Sequence, residues 1–242
     1  MSGGRIGTNR RYNCKIKMIY NSIVSGKFIS RPNRFIAYAE IDGKEEICHV
    51  KNTGRCKELL VPGANIILEK SDNTKRKTKF DLVSVYKNGR LINMDSQAPN
   101  KIAAELLPKL FPNYIIKSEQ KYKNSRFDFF MESENNKAFT EVKGVTLEKD
   151  NIVMFPDAPT QRGVKHINEL IYAVENGYEA YILFIIQLNG VKYLTPNYQT
   201  HPEFGEILKL AKQKGVKILA YDCIVKENEI TADKPVTVFT EK

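Results

Sequence analysis

The sequence predicts a mixed α/β (α+β) chain of two domains, a small β-barrel followed by a layered α/β domain. Three observations carry that prediction. Residues 28 to 86 form short β-rich runs separated by turn signals. After Asn88-Gly89 the order changes to helix, three strands, helix, strand, helix, strand. The formal net charge of +10 lies wholly in the first part, where residues 1 to 90 hold 19 Lys and Arg against 8 Asp and Glu, while residues 91 to 242 hold 19 against 20. A chain of 242 residues has room for two cores, since domains run to roughly 100–200 residues each. The expected boundaries are a flexible leader over 1–17, a barrel over 18–88 and a layered domain over 89–242.

The leader, beginning "MSGGRIGTNRRYN", has charges with no apolar segment behind them and so lacks the layout of a secretory signal. The longest apolar run, "AYILFII" at 180–186, is far short of the roughly 20 residues that span a bilayer. A cytoplasmic protein with no membrane partner is expected. Cys14, Cys48, Cys56 and Cys223 form no C-x-x-C pair and read as free thiols. Cys48, His49 and Cys56 lack the close pairing and fourth ligand of a zinc site.

Within the first domain "FIAYAEI" and "EEICHV" flank Asp42-Gly43, a hairpin signal because both central residues of that turn need positive φ. "NTGRCKELLVPGANIILEK" follows as a turn, one or two helical turns, a Pro62-Gly63 turn and another strand, and "FDLVSVY" closes the set. Four or five short strands with a positive surplus fit the oligonucleotide/oligosaccharide-binding (OB) barrel. A localised positive field draws polyanions, because neutralised phosphates release condensed counterions. DNA is the expected partner, with RNA as the alternative polyanion. The loop "SDNTKRKTKF" gathers Lys75, Arg76, Lys77 and Lys79 with only Asp72 nearby.

In the second part "PNKIAAELLPKLF" reads as a helix over 99–107 ended near Pro108. Strands are expected over 114–120, 125–131 and 138–146, and a helix over 162–176. "EAYILFII" reads as a strand buried on both faces, and a helix over 203–214 leads through "KG" into the strand "VKILAYD".

The stretch "FTEVKGV" at 139–145 puts Glu141 and Lys143 on one face of a strand and Val142 on the other. The preceding "SRFDFFM" carries Asp128 among aromatics. If Glu132 pairs with Lys137 around "SENN", Asp128 falls opposite Glu141, with Cβ atoms roughly 4.5–5.5 Å apart. Two carboxylates that close repel unless a cation lies between them. Mg²⁺ or Mn²⁺ is the natural choice, a hard ion that takes one or two carboxylates together with waters and phosphate oxygens. Lys143 would then hold a water, offset charge in a transition state or take a proton. The plainer alternative is an Asp128–Lys143 ion pair with Glu141 beside it.

"SRFDF" followed by "EVKGVTL" resembles the PD-(D/E)xK nuclease superfamily. Together with "NRFIAYAEIDG", "NTGR", "SDNTKRK" and "FPDAPTQRGVKHINEL", the chain from about Met18 looks like the sugar fermentation stimulation protein A family. The resemblance implies an amino-terminal OB-type barrel, a carboxy-terminal PD-(D/E)xK-type domain, sequence-independent DNA binding and a regulatory link to sugar, notably maltose, metabolism. Asp128, Glu141 and Lys143 match the superfamily's metal and lysine positions, and Glu105 or Glu119 would supply a further acid. "PTQRGVKHINEL" opens the next helix, where Arg162, His166 and Glu169 share one face. They would give phosphate contacts or support the acids, a structural or capping histidine being the plainer reading of His166. Lys51 stands before "NTG" where many relatives show proline, which leaves the conformation of that loop open. The expected nucleic-acid contacts are Arg34, Arg55, Lys75, Arg76, Lys77, Lys79, Arg126, Arg162, Lys165 and His166. Two functions follow, a Mg²⁺-dependent phosphodiesterase or a DNA-binding regulator on a scaffold-only nuclease fold, with oligosaccharide binding by the barrel a remote third. No obligate protein partner is implied, and a homo-oligomer is compatible with the sequence.

Overall fold

The computed structural model describes residues 18–52, 54–123 and 125–241; the expected leader and Cys14 lie outside them. The described chain opens with β1 (Met18–Ile19) and continues into β2 (Ile23–Ser30), β3 (Ile36–Ile41), β4 (Lys44–Val50), β5 (Asn65–Lys70), β6 (Phe80–Lys87) and β7 (Arg90–Asn93). Strands β2 to β7 make one sheet in the order β4-β3-β2-β5-β6-β7, and a parallel pairing of β4 with β6 closes five of them into an OB-like barrel. Ala37, Ala39 and Ile41 are buried while the residues between them are not, the period of two that one apolar face requires. Asp42 and Gly43 turn the β3–β4 hairpin at φ of 52° and 72°, as the Asp-Gly pair predicts. At Gly26 an added Cβ would lie 2.8 Å from the Glu40 carbonyl oxygen, so β2 crosses β3 closer than any side chain permits.

The first part departs from expectation at three points. Among the described residues between β4 and β5 no helix forms, only turns in which the Leu59 and Leu60 amides donate to the Cys56 carbonyl. Asn88-Gly89 is not a passage between domains but the turn of the β6–β7 hairpin, with φ of 51° and 75°. Met18 and Ile19 pair outside the barrel, with the last strand of the second domain.

The second part runs α1 (Ala98–Leu110), β8 (Ile115–Tyr122), β9 (Ser125–Glu132), β10 (Lys137–Val145), β11 (Glu148–Lys149), β12 (Ile152–Phe155), α2 (Gln161–Glu175), β13 (Glu179–Ile186), β14 (Tyr193–Pro196), α3 (Pro202–Gln213), β15 (Lys217–Val225) and β16 (Glu229–Pro235). The main sheet has the order β1-β16-β15-β13-β10-β9-β8, with β10, β13 and β15 parallel at its centre. Strands β11, β12 and β14 form a small separate sheet. Strand β13 is buried on both faces: Tyr181, Leu183 and Ile185 pack with Ile102, Ala103 and Leu107 of α1, while Ile182, Phe184 and Ile186 pack with Val164, Ile167 and Leu170 of α2. Helices on both faces are what parallel strands require, because neither face can meet water. Helix α1 outruns the stop expected at Pro108, which lies exposed in its last turn. There a proline removes a single hydrogen bond and the helix closes with the Phe111 amide donating to Leu107.

Barrel and sheet are joined by buried polar contacts. The Gln187 amide group donates to Asn93 Oδ1 at 2.8 Å and to the Asp95 carbonyl at 3.0 Å, and the Asn93 amide returns a bond to the Gln187 carbonyl. Lys87 Nζ donates to the Glu148 carbonyl at 2.9 Å. Among the described residues no helix is long and apolar enough to cross a membrane.

Candidate functional site

The β9–β10 hairpin keeps the expected register through four pairs, from Lys137↔Glu132 to Thr140↔Phe129. There the ladder stops. Asp128 and Glu141 are not a backbone-paired couple; instead Asp128 Oδ2 accepts the Val142 amide hydrogen at 2.8 Å, taking the role of a strand carbonyl. Asp128 Oδ1 accepts from Asn100 Nδ2 at 2.8 Å, in the first turn of α1. The two strands part at the point where the acids stand, and a carboxylate bridges the opening.

Glu141 is 3 % exposed. Its Oε1 accepts from Lys143 Nζ at 2.6 Å and from His166 Nδ1. Its Oε2 is buried with no hydrogen-bond partner among the described residues. His166 reaches it because the apolar face of α2, with Val164, Ile167 and Leu170, packs on the sheet and carries the ring along. The helix starts where Thr160 Oγ1 accepts the Gly163 amide at 3.0 Å. His166 Nε2 accepts from Arg162 Nε at 3.4 Å, an arrangement that suits the tautomer with hydrogen on Nδ1. Behind Lys143, an added Cβ at Gly144 would lie 2.7 Å from both Gln187 Oε1 and Pro99 Cγ, so the strand is wedged between the start of α1 and the domain joint.

These contacts divide the two acids. Burial, and then the neighbouring Glu141 charge, push Asp128 above its ordinary value. Burial would raise Glu141 too, but the His166 hydrogen bond and the Lys143 ammonium outweigh it and hold the group low. The pair therefore has one firmly anionic oxygen without a partner and one carboxylate short of positive charge.

The other expected acids do not join them. Glu105 lies half-buried on α1, five residues past Asn100 and so about 140° round the helix from it. Glu119 interrupts the pairing of β8 at a φ of 57°, between the pairs Ser118↔Phe129 and Gln120↔Phe127 of an unshifted register, and its carboxylate lies 3.6 Å from Arg126 with both side chains mostly exposed. Among the described residues no three His, Cys, Asp or Glu side chains converge as a metal cage, which also leaves Cys48, His49 and Cys56 without a zinc site. The free thiols of Cys48 and Cys56 are pushed up to about 12, by burial first.

The expected phosphate contacts scatter. Lys75, Lys77 and Lys79 are exposed in the β5–β6 loop. Arg76 is turned inward, donating to Asp81 Oδ2 at 3.0 Å and to Thr78. It is a structural partner of a buried acid rather than a free cation. Arg162 and Lys165 are exposed on the first turns of α2, Lys165 within 3.9 Å of Glu169, while His166 is buried against Glu141 and offers no surface to a strand of nucleic acid. Arg34 and Arg55 line a cleft of about 860 Å³ between the barrel and residues 155–160.

Three residues of these sites escaped the sequence reading. Asn100, beside the helix-starting Pro99, had only its position in a first turn to mark it. Arg31 donates to the carbonyls of Arg34, Asn52, Gly54 and Arg55, bracing two loops. Lys57 lines the same cleft.

Comparison with known proteins agrees with this architecture. Residues 29–94 match the family model described as the SfsA N-terminal OB domain, and residues 97–229 match the one described as the sugar fermentation stimulation protein RE domain. A sugar fermentation stimulation protein homolog of Clostridium beijerinckii is 59% identical over 216 residues, covering 88% of this chain and 96% of that protein. A homolog of Ruminiclostridium cellulolyticum is 59% identical over 224 residues, covering 91% and 99%. The solved structure of Pyrococcus furiosus SfsA in complex with Ca²⁺ superimposes with a TM-score of 0.82 at 28% identity, covering 93% of this chain and 99% of that one. With both domain models matched in order and such relatives along most of its length, the chain belongs to the sugar fermentation stimulation protein family.

Proposed function

We propose that this protein binds DNA without regard to sequence through its basic barrel and cleaves phosphodiester bonds at Asp128, Glu141 and Lys143 with the help of a divalent cation, Mg²⁺ or Mn²⁺. The observation that carries the reading is the partnerless, buried Oε2 of Glu141 beside a carboxylate raised by burial and by that same glutamate. Leaving such an oxygen unmatched is costly, and a cation answers both acids at once. Two carboxylates suit Mg²⁺, which completes its shell with water and phosphate oxygens. The Pyrococcus furiosus relative was solved with Ca²⁺, another hard oxygen-seeking ion.

In this reading Asp128 and Glu141 hold the ion, which supplies an activated water and positive charge at the phosphate. The chain's own groups do the positioning. Asn100 and the Val142 amide fix the Asp128 carboxylate, and His166 fixes Glu141. Lys143, 15% exposed, keeps its ammonium on Glu141, where it would offset negative charge developing on a phosphate oxygen. The test is cleavage of single- and double-stranded DNA and RNA by purified protein with Mg²⁺ or Mn²⁺, beside Glu141→Gln and Lys143→Met. Metal-dependent cutting lost in both variants, with binding retained, is the expected result. Intact substrates with the unaltered protein would defeat it.

A second reading is favoured by Glu141 Oε1, already engaged by Lys143 and His166. That engagement also suits a non-catalytic DNA-binding regulator of sugar metabolism, in keeping with the family's name, which would bind DNA in the same test and cut nothing.

A further inference from the structure

We propose that the cleft between the barrel and residues 155–160 receives an unpaired nucleotide, so that the preferred partner is a single-stranded or frayed segment and not a closed duplex. The inference rests on the nucleic-acid reading above and names its substrate class. The cleft, about 860 Å³, is within the size range of sites that enclose small organic ligands. It has two kinds of wall. Arg34, Arg55 and Lys57 stand exposed along it and have no ion-pair partner among the described residues, unlike Arg76 and Arg126. The opposing segment offers Phe155, Pro156 and Pro159 as apolar surface, with the Asp157 carboxylate lodged against Gly54 at its edge.

The backbone beside these cations is tied together by one side chain. The Arg31 guanidinium holds four backbone carbonyls across residues 34 to 55, so Arg34 and Arg55 project from a braced frame. Phe155 is fixed from behind by edge contacts with Phe184 and Phe204, at centroid distances of 5.6 and 5.0 Å. A duplex offers its phosphates outward and keeps its bases stacked inside, so it has no use for an apolar wall beneath a basic rim. A strand with a base turned out matches both surfaces, phosphates on the arginines and base on the ring. A smaller pocket of about 180 Å³ shares Gly54, Phe155 and Asp157 with it and reaches Gly144, the chain neighbour of Lys143.

The experiment compares, by fluorescence anisotropy at one salt concentration without divalent cation, an oligothymidylate and a blunt hairpin duplex of equal phosphate count. The expected result is about tenfold tighter binding of the single strand, the size of one stacked base. Phe155→Leu keeps apolar volume and removes the aromatic face, and should shrink that ratio severalfold. Arg34→Glu with Arg55→Glu, both at exposed positions, should shrink it as well and serves as the second arm if Phe155→Leu fails to fold. Equal or tighter binding of the duplex, or a ratio untouched by the soluble variants, overturns the proposal while leaving DNA binding intact. If neither probe binds the unaltered protein in a salt-dependent way, the nucleic-acid reading falls first and this one with it.

Discussion

Two buried acids, Asp81 in the barrel and Glu141 in the sheet, are surrounded by nearly the same residue types and end in opposite conditions. Asp81 is met by Arg76 and Lys51 at 3.0 Å each and by His49 at 3.1 Å, so both of its oxygens are matched. Burial would raise it, but the Arg76 guanidinium and the Lys51 ammonium outweigh burial and bring its pKa to about 2. Glu141 also has a lysine and a histidine, yet both converge on one oxygen and the second has no partner among the described residues. Acid, lysine and histidine together therefore do not define a functional site. What separates the two is whether the charge is closed, and only the open one has anything left to offer a ligand.

That contrast can be broken experimentally, and the largest effect should come from the open site. Glu141→Gln is expected to lower metal-dependent cleavage by about a hundredfold or more, whereas Asp81→Asn, measured in the same assay well below its melting temperature, should leave the rate near that of the unaltered protein. In stability the order reverses. Asp81→Asn should cost about 2 kcal/mol in denaturant unfolding at neutral pH. Because the folded pKa is depressed to about 2, that contribution is present above the unfolded value near 4 and disappears as pH falls toward 2. The variant's stability should accordingly be flatter across that window.

Smaller effects sharpen the same comparison. His166→Ala removes the group that fixes Glu141 and should weaken the affinity for Mg²⁺ or Mn²⁺ about tenfold, read from the cation-dependent shift in melting temperature. His49→Ala at the closed site should leave that shift alone. Smallest of all, Lys75→Ala and Lys77→Ala should each reduce the slope of log affinity against log salt by about one. Arg76→Ala, with its guanidinium on Asp81, should instead appear as lost stability.

Much of the frame was legible because it follows from local rules. Asp42-Gly43 announced its hairpin, and the unbroken apolar run of β13 announced a strand buried on both faces. Even the β9–β10 register could be read from the four-residue loop between Glu132 and Lys137. The departures have a common origin in contacts between distant segments. Where the ladder stops, Asp128 takes one bond from the Val142 amide and the other from Asn100, on a helix 28 residues earlier in the chain. Arg76 looks like its lysine neighbours in a charge run, and only the fold shows that Asp81 lies beneath it. Asn88-Gly89 was misread because the same dipeptide suits a hairpin and a domain passage alike. His166 sits at helical spacing from Arg162, but nothing in that spacing reveals the strand its ring will face.

Gln187 has one end on the barrel, through Asn93 and Asp95, and the other against the backbone of Gly144. One side chain thus serves as both latch and backstop. Severing the polypeptide after Asp95 and producing the pieces apart would expose that amide and take away both of its acceptors.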